Sequence, residues 1–168
     1  MRESVEAEWH TLSRSPDQTE AIGAALSAAI PPLQSAPGVL YLLGDLGAGK
    51  TTLARGFLRR RGVAGVVQSP TFTLLECYEL PDIVVVHLDL YRLREPSEIE
   101  MLGLRDLARP AHVWLIEWPE RGRGHLPAPD LQLELRVAAD GHPIQLTAHT
   151  PRGGAWLAGA VELLRAST

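Results

Sequence analysis

Apolar residues recur along the chain with two periods. Ala21, Ile22, Ala25, Leu26 and Ala29 fall three and four apart, the stripe of an amphipathic helix. Ser15 is placed to cap that helix, Pro16 suits its first position, and Gln18 three residues after Ser15 completes a capping box. "PPLQSAPG" (31–38) ends it. "VLYLLG" (39–44) is instead a continuous apolar run, as expected of a strand buried on both faces of a parallel sheet, and "HVWLIEW" (112–118) repeats the pattern. A glycine-rich turn follows the first run, and a helix is predicted from Lys50 to Arg61. "HTLS" (10–13) reads as a short strand. "TFTLLECYEL" and "IVVVHLDLY" are β-rich runs around Pro81-Asp82 and predict a hairpin. "EPSEIEMLGLRDLA" predicts one or two short helices broken near Gly103, and "PERGRGHLPAP" (119–129) a loop. "DLQLELRV" alternates and can pair with "PIQLTAH" (143–149) across "AADGH"; a last helix runs from Gly153 to Arg165. Alternating helices and parallel-type strands, followed by an antiparallel pair, predict an α/β fold in which a mixed parallel/antiparallel sheet is flanked by helices.

Length and composition narrow this picture. A chain of 168 residues supports one domain over 1–168 and is short for two. No apolar run approaches the roughly 20 residues that span a bilayer, so no membrane association is expected. The N-terminal "MRESVEAEWHTLSRS" lacks the apolar core of a secretion signal. Cys77 is the single cysteine, which excludes an intrachain disulfide and fits a reducing, cytoplasmic setting. A net charge of −4 disfavours coating of nucleic acid by this chain alone. The six histidines are scattered without ligand spacing, so a protein-only metal site is not expected.

The chemistry concentrates in "GDLGAGKT" (44–51), which fits G-x-x-x-x-G-K-[ST] between a buried strand and a helix. In such a loop the backbone N–H groups of Gly44, Asp45, Leu46, Gly47, Ala48 and Gly49 turn toward phosphate, and the helix start adds its positive end. Lys50 then meets the β- and γ-phosphates, Thr51 offers its hydroxyl to Mg²⁺, and Thr52 follows in the first helical turn. Lys50 is also the only lysine, the other fifteen cationic side chains being arginine. A compact ammonium fits between phosphates in a tight loop where a planar guanidinium does not. Genome composition is the plainer account of why lysine is scarce.

Nucleotide hydrolysis also needs carboxylates near the metal. Asp89 ends "VVVHL" and Glu117 ends "HVWLI"; a charge at either place is costly unless the site is wet or metal-bound. One would hold Mg²⁺ through water and the other orient the attacking water, and residue order does not assign the two roles. Thr71 in "SPTF" (69–72) is the candidate for a threonine that senses the γ-phosphate; the same segment also reads as a Ser-Pro turn feeding a strand. Trp118 either packs over the site or fills core. Arg59, Arg60 and Arg61 suit the negative end of a helix dipole, or a nucleic-acid contact.

"GDLGAGKTT", "SPTFTL", "HLDLYRL", "IEWPE" and "LPAPD" stand in the order and spacing of the TsaE (YjeE) family, which the chain resembles from about Thr11 to Leu146. The resemblance implies a P-loop NTPase fold and a small ATPase of bacterial tRNA threonylcarbamoyladenosine synthesis. It implies TsaB and TsaD as partners, and tRNA reached through their complex. ATP and Mg²⁺ are the implied cofactors, with Lys50 and Thr51 on phosphate and metal, Thr71 as switch residue, and Asp89 and Glu117 as the functional acids. Glu117 is the implied Mg²⁺ partner, with Trp118 beside it. Gln68 departs from the lysine expected in several relatives. The resemblance does not locate the adenine; the segment around Leu12 is the expected place.

Two other readings compete. A small-metabolite kinase of the shikimate-kinase type has similar length and a similar loop, and "PERGRGHLP" could be its arginine-bearing lid. The two hairpins and "SPTFTL" do not suit that fold. A small GTPase needs a second lysine for N-K-x-D, and none exists.

Overall fold

The computed structural model describes residues 7–168. The N-terminal reading falls partly on residues 1–6, outside the described residues. Strands β1 (Glu8–Ser13), β2 (Gly38–Leu43), β3 (Leu75–Glu79), β4 (Val84–Asp89), β5 (His112–Glu117), β6 (Leu131–Leu135) and β7 (His142–Ala148) form one sheet in the order β1-β7-β6-β2-β5-β4-β3. The four central strands, β6, β2, β5 and β4, run parallel; the continuous apolar runs lie in β2, β5 and most of β4, whereas β6 alternates because it also pairs antiparallel with β7. At the two ends β7, β1 and β3 pair antiparallel. Both predicted hairpins form.

Helices α1 (Pro16–Ala28), α2 (Lys50–Arg60) and α4 (Pro151–Ala166) cover one face, over a core that includes Leu26, Leu40, Leu42, Phe57 and Trp156. The fully buried Trp156 donates its indole N–H to the Leu26 carbonyl at 2.8 Å and ties α4 to α1. The opposite face packs Val86, Leu88, Trp114 and Ile116 against Leu90, Leu93, Ile99 and Leu104. Ile99 and Leu104 come from a 3-10 segment, Pro96–Leu102, and the four-residue helix α3 (Leu104–Leu107), which break at Gly103 as expected. Among the described residues no helix is long and apolar enough to cross a membrane.

The crossing of α1 on α2 is made backbone to backbone. A Cβ on Gly56 would lie 2.1 Å from the Glu20 carbonyl oxygen, and one on Gly23 2.1 Å from that of Leu53. Only glycine permits this approach, which presses the start of α1 against the helix that begins at the glycine-rich loop.

Several local expectations shift. Ser15 caps α1 through the Gln18 N–H, but the Gln18 side chain accepts from Arg14 N–H at 2.6 Å instead of from Ser15, so the box is displaced by one residue. The first strand of the central hairpin begins only at Leu75. Leu74 adopts φ 64° and donates its N–H to the Pro70 carbonyl at 2.8 Å, so Thr71–Thr73 form a turn. Helix α4 starts two residues early because Thr150 accepts from Gly153 N–H at 2.9 Å and Pro151 takes the first position. The loop after β5 opens with one 3-10 turn, Pro119–Gly122. The arginine trio offers no common basic face. Arg59 pairs with Glu20 at 3.3 Å, and Arg61 reaches Asp82 at 2.6 Å and the Ser27 carbonyl at 2.6 Å. These contacts tie the end of α2 to α1 and the hairpin turn.

Candidate active site at the glycine-rich loop

Strand β2 lies between β6 and β5, so the loop that leaves it emerges at the centre of the sheet's carboxyl edge. Gly44, Gly47 and Gly49 have φ of 146°, 78° and 110°, values that fold the loop back over the start of α2. Gly49 caps α2 without a side chain, leaving the first N–H groups of the helix facing the loop. The loop borders a cleft of about 320 Å³ lined by Leu46, Gly47, Gly49, Lys50, Thr51, Thr52, Ser69, Thr71, Asp89, Tyr91, Glu117 and Trp118.

Lys50 is 5% exposed. Its ammonium donates to the carbonyls of Gly44 and, at 3.0 Å, Asp45, and stands 4.2 Å from the centroid of the Trp118 ring. Burial lowers its pKa, against the raising influence of Glu117, Asp89, Glu120 and Asp45.

The register of β4 with β5 sets Asp89 directly opposite Glu117. Both are buried, and the repulsion of two adjacent carboxylates is offset by specific partners. The Ser69 hydroxyl bridges them, in contact with Asp89 and 2.8 Å from Glu117 Oε2. Asp89 Oδ1 accepts from Tyr91 N–H at 3.0 Å. His87 Nε2 lies 2.7 Å from Glu117 Oε2, and the Thr51 hydroxyl donates to Glu117 Oε1 at 3.3 Å. Burial pushes the Glu117 pKa up, but the hydrogen bond from His87, that from Ser69 and the charge of Lys50 outweigh it, leaving the carboxyl below the ordinary range.

Trp118 breaks the alternation of β5. Its φ of 57° turns the chain so that its ring reaches Lys50 on the same side as Glu117. The ring leans on Tyr91, with centroids 4.9 Å apart, and Arg121 sits outside both rings. Both readings for Trp118 are met: it borders the cleft, and it is partly buried against the core of the opposite sheet face.

The cleft thus gathers Lys50, Thr51, Thr52, Thr71, Asp89, Glu117 and Trp118 from separate segments. Gly44 and Asp45 act on it through their carbonyls, and Ala48 is buried beneath the loop. Thr71 borders the cleft, although its hydroxyl donates to the Ser69 carbonyl at 3.1 Å within its own turn. Leu12 is not brought in: it sits on β1 opposite Pro143, outside the cleft lining. Ser69, His87 and Tyr91 were not anticipated. Parity exposes one of them, since His87 precedes Asp89 by two residues and must share its sheet face. Thr51, Asp89 and Glu117 are hard oxygen donors, the set suited to Mg²⁺. Among the described residues no cluster of three or more His, Cys, Asp or Glu could hold a metal by itself, so phosphate or water would complete the shell.

Comparison with known proteins agrees with the topology and shows the family. Residues 13–143 match the family model described as "Threonylcarbamoyl adenosine biosynthesis protein TsaE". A tRNA threonylcarbamoyladenosine biosynthesis protein TsaE of Haemophilus influenzae is 46% identical over 115 residues, 68% of this chain and 73% of that protein. Its namesake from Bacillus subtilis is 40% identical over 133 residues, 79% of this chain and 78% of that protein. The crystal structure of Bacillus subtilis YdiB superposes with a TM-score of 0.71 at 32% identity, covering 97% of each chain. By these matches the chain belongs to the TsaE family.

Proposed function

We propose that this protein binds and hydrolyses ATP in support of tRNA threonylcarbamoyladenosine formation, acting in the cytoplasm with TsaB and TsaD. The observation that carries the ATPase reading is the buried pair Asp89 and Glu117 facing Lys50 and Thr51 across one cleft. The loop N–H groups and the start of α2 would bind the phosphates, and Lys50 would leave its two carbonyls for the β- and γ-phosphate oxygens. Thr51 and Glu117 would hold Mg²⁺, which when bound neutralises charge developing on the phosphates. Asp89 is left to orient the water that attacks the γ-phosphorus as the bond to ADP breaks. Thr71 would report the γ-phosphate through the turn it shares with Ser69.

The partner assignment rests on family membership. Among the described residues no arginine lines the cleft, Arg121 lying outside the Tyr91 and Trp118 rings, and an arginine finger in other nucleotide hydrolases raises turnover by about 10³–10⁵. Slow turnover alone, altered by TsaB–TsaD, is therefore expected. The test measures phosphate release with water as the only acceptor, with and without the partner pair, and co-purification of the three proteins with and without ATP. Fast turnover indifferent to the partners, or no association with them, would count against the reading. Dependence on a small-molecule acceptor would favour a metabolite kinase.

A further inference from the structure

His87 stands out among the residues of β4. Its neighbours on the strand are valines, a leucine and Asp89, and its ring is 0% exposed. Nε2 meets Glu117 Oε2 at 2.7 Å, while Nδ1 is buried with no hydrogen-bond partner among the described residues. A histidine kept for packing would be expected to satisfy both nitrogens, and a valine or leucine would fill the space without leaving one bare. The ring is retained for what Nε2 does. An ionised carboxylate only accepts hydrogen bonds, so Nε2 is the donor.

Glu117 is thereby divided into two unlike oxygens. Oε2 faces His87, buried behind the cleft, and Ser69, which lines it; Oε1 faces the Thr51 hydroxyl. The last torsion of a glutamate is broad and roughly two-fold, so without an anchor the carboxylate is free to rotate or swing toward Lys50. We propose that His87 is a positioning residue that fixes the rotation of the Glu117 carboxylate and commits Oε1 to the Thr51 side of the cleft. This inference rests on the ATPase reading. Nucleotide affinity comes from the loop backbone and Lys50, which His87 does not touch, so its loss should fall on turnover and spare binding.

Three variants separate reach from packing. In His87→Gln the amide nitrogen extends to about the position of Nε2; in His87→Asn it stops near Nδ1; His87→Leu has no donor. The Asn and Leu variants should lose about 10- to 100-fold in kcat, as outer-shell partners of metal-site residues typically do. The Kd for ATP, read from tryptophan fluorescence, should stay within about threefold of the parent. His87→Gln should recover most of kcat. Burying an amide harms Gln and Asn alike, so equal kcat in the two overturns the proposal even if Leu fails to fold. Parent-like kcat in Leu also overturns it. A readout without turnover is the ring tautomer: long-range ¹H–¹⁵N correlation, assigned by its loss in His87→Gln, should show the proton on Nε2, and a bare Nε2 overturns the proposal. If Glu117→Ala hydrolyses ATP like the parent, the ATPase reading of the site fails first and takes this inference with it.

Discussion

Lys50 satisfies its ammonium with two loop carbonyls and the face of Trp118, a set of contacts that a rigid five-donor fork cannot reproduce in the same space. Lys50→Arg keeps the charge and changes the shape. It should weaken Mg·ATP binding by at least about tenfold and abolish measurable hydrolysis. Parent-like binding in that variant would mean that the lysine is inherited and not required. Glu117 yields a prediction in pH. Its folded pKa lies below the unfolded value of about 4.3, so the folded state holds this proton less tightly than the unfolded chain. The resulting stability is fully present above that value and is lost as pH falls through the lower folded one. In urea titrations from neutral to acid pH, the parent should therefore lose stability relative to Glu117→Gln only at the acid end. A gap that moves the other way would contradict the assigned balance of burial and hydrogen bonds. The acids themselves were legible because a charge closing an apolar strand is costly without a reason. Ser69 was not, since a serine before proline reads equally well as a plain turn. Leu12 lies on the edge strand β1, outside the lining of this cleft, so the cleft does not locate the adenine.

At the scale of elements, strand and helix identity followed from period, and the errors lie at boundaries where one backbone contact decides. Leu74 in the left-handed region shortens β3, and the Thr150 hydroxyl lengthens α4; hydrophobic spacing encodes neither. The α1–α2 crossing was equally hidden, because a helical glycine reads as a weakness until the neighbouring backbone is seen. Gly56→Ala should destabilise the protein by about 1–3 kcal/mol or more, since its Cβ meets a carbonyl that cannot move aside. The control is Gly154→Ala in α4, where nothing lies within 4 Å of the added carbon and a gain of about 0.5–1 kcal/mol is expected. Urea unfolding of both variants checks the contrast. Equal effects would show that the two helices separate more readily than their packing suggests.

Over the whole molecule, the mixed sheet was legible from the contrast between the apolar runs of β2 and β5 and the alternation of β6 and β7, although β6 proved to pair parallel with β2 as well. Strand order was not, because pairing between distant segments leaves no local mark. The central place of β2 has the effect of planting its loop, and the start of α2, in the best-supported part of the fold. There the solitary Lys50 acquires a further meaning. A protease that cuts only after lysine has one peptide bond to attack, between Lys50 and Thr51 in the first turn of a helix, and its recognition side chain is buried. Cleavage must wait for that turn to open, so with fast reclosing the cutting rate measures the open population of this one region. A ligand held by the closed form lowers that population by the factor 1 + [L]/Kd, about 100-fold at a hundred times Kd. Mg·ATP should therefore slow the appearance of two fragments, residues 1–50 and 51–168, in proportion to its concentration. A rate unchanged at saturating nucleotide would place the ligand elsewhere. The scarcity of lysine makes the chain its own single-site probe, cut only when its phosphate-facing turn comes undone.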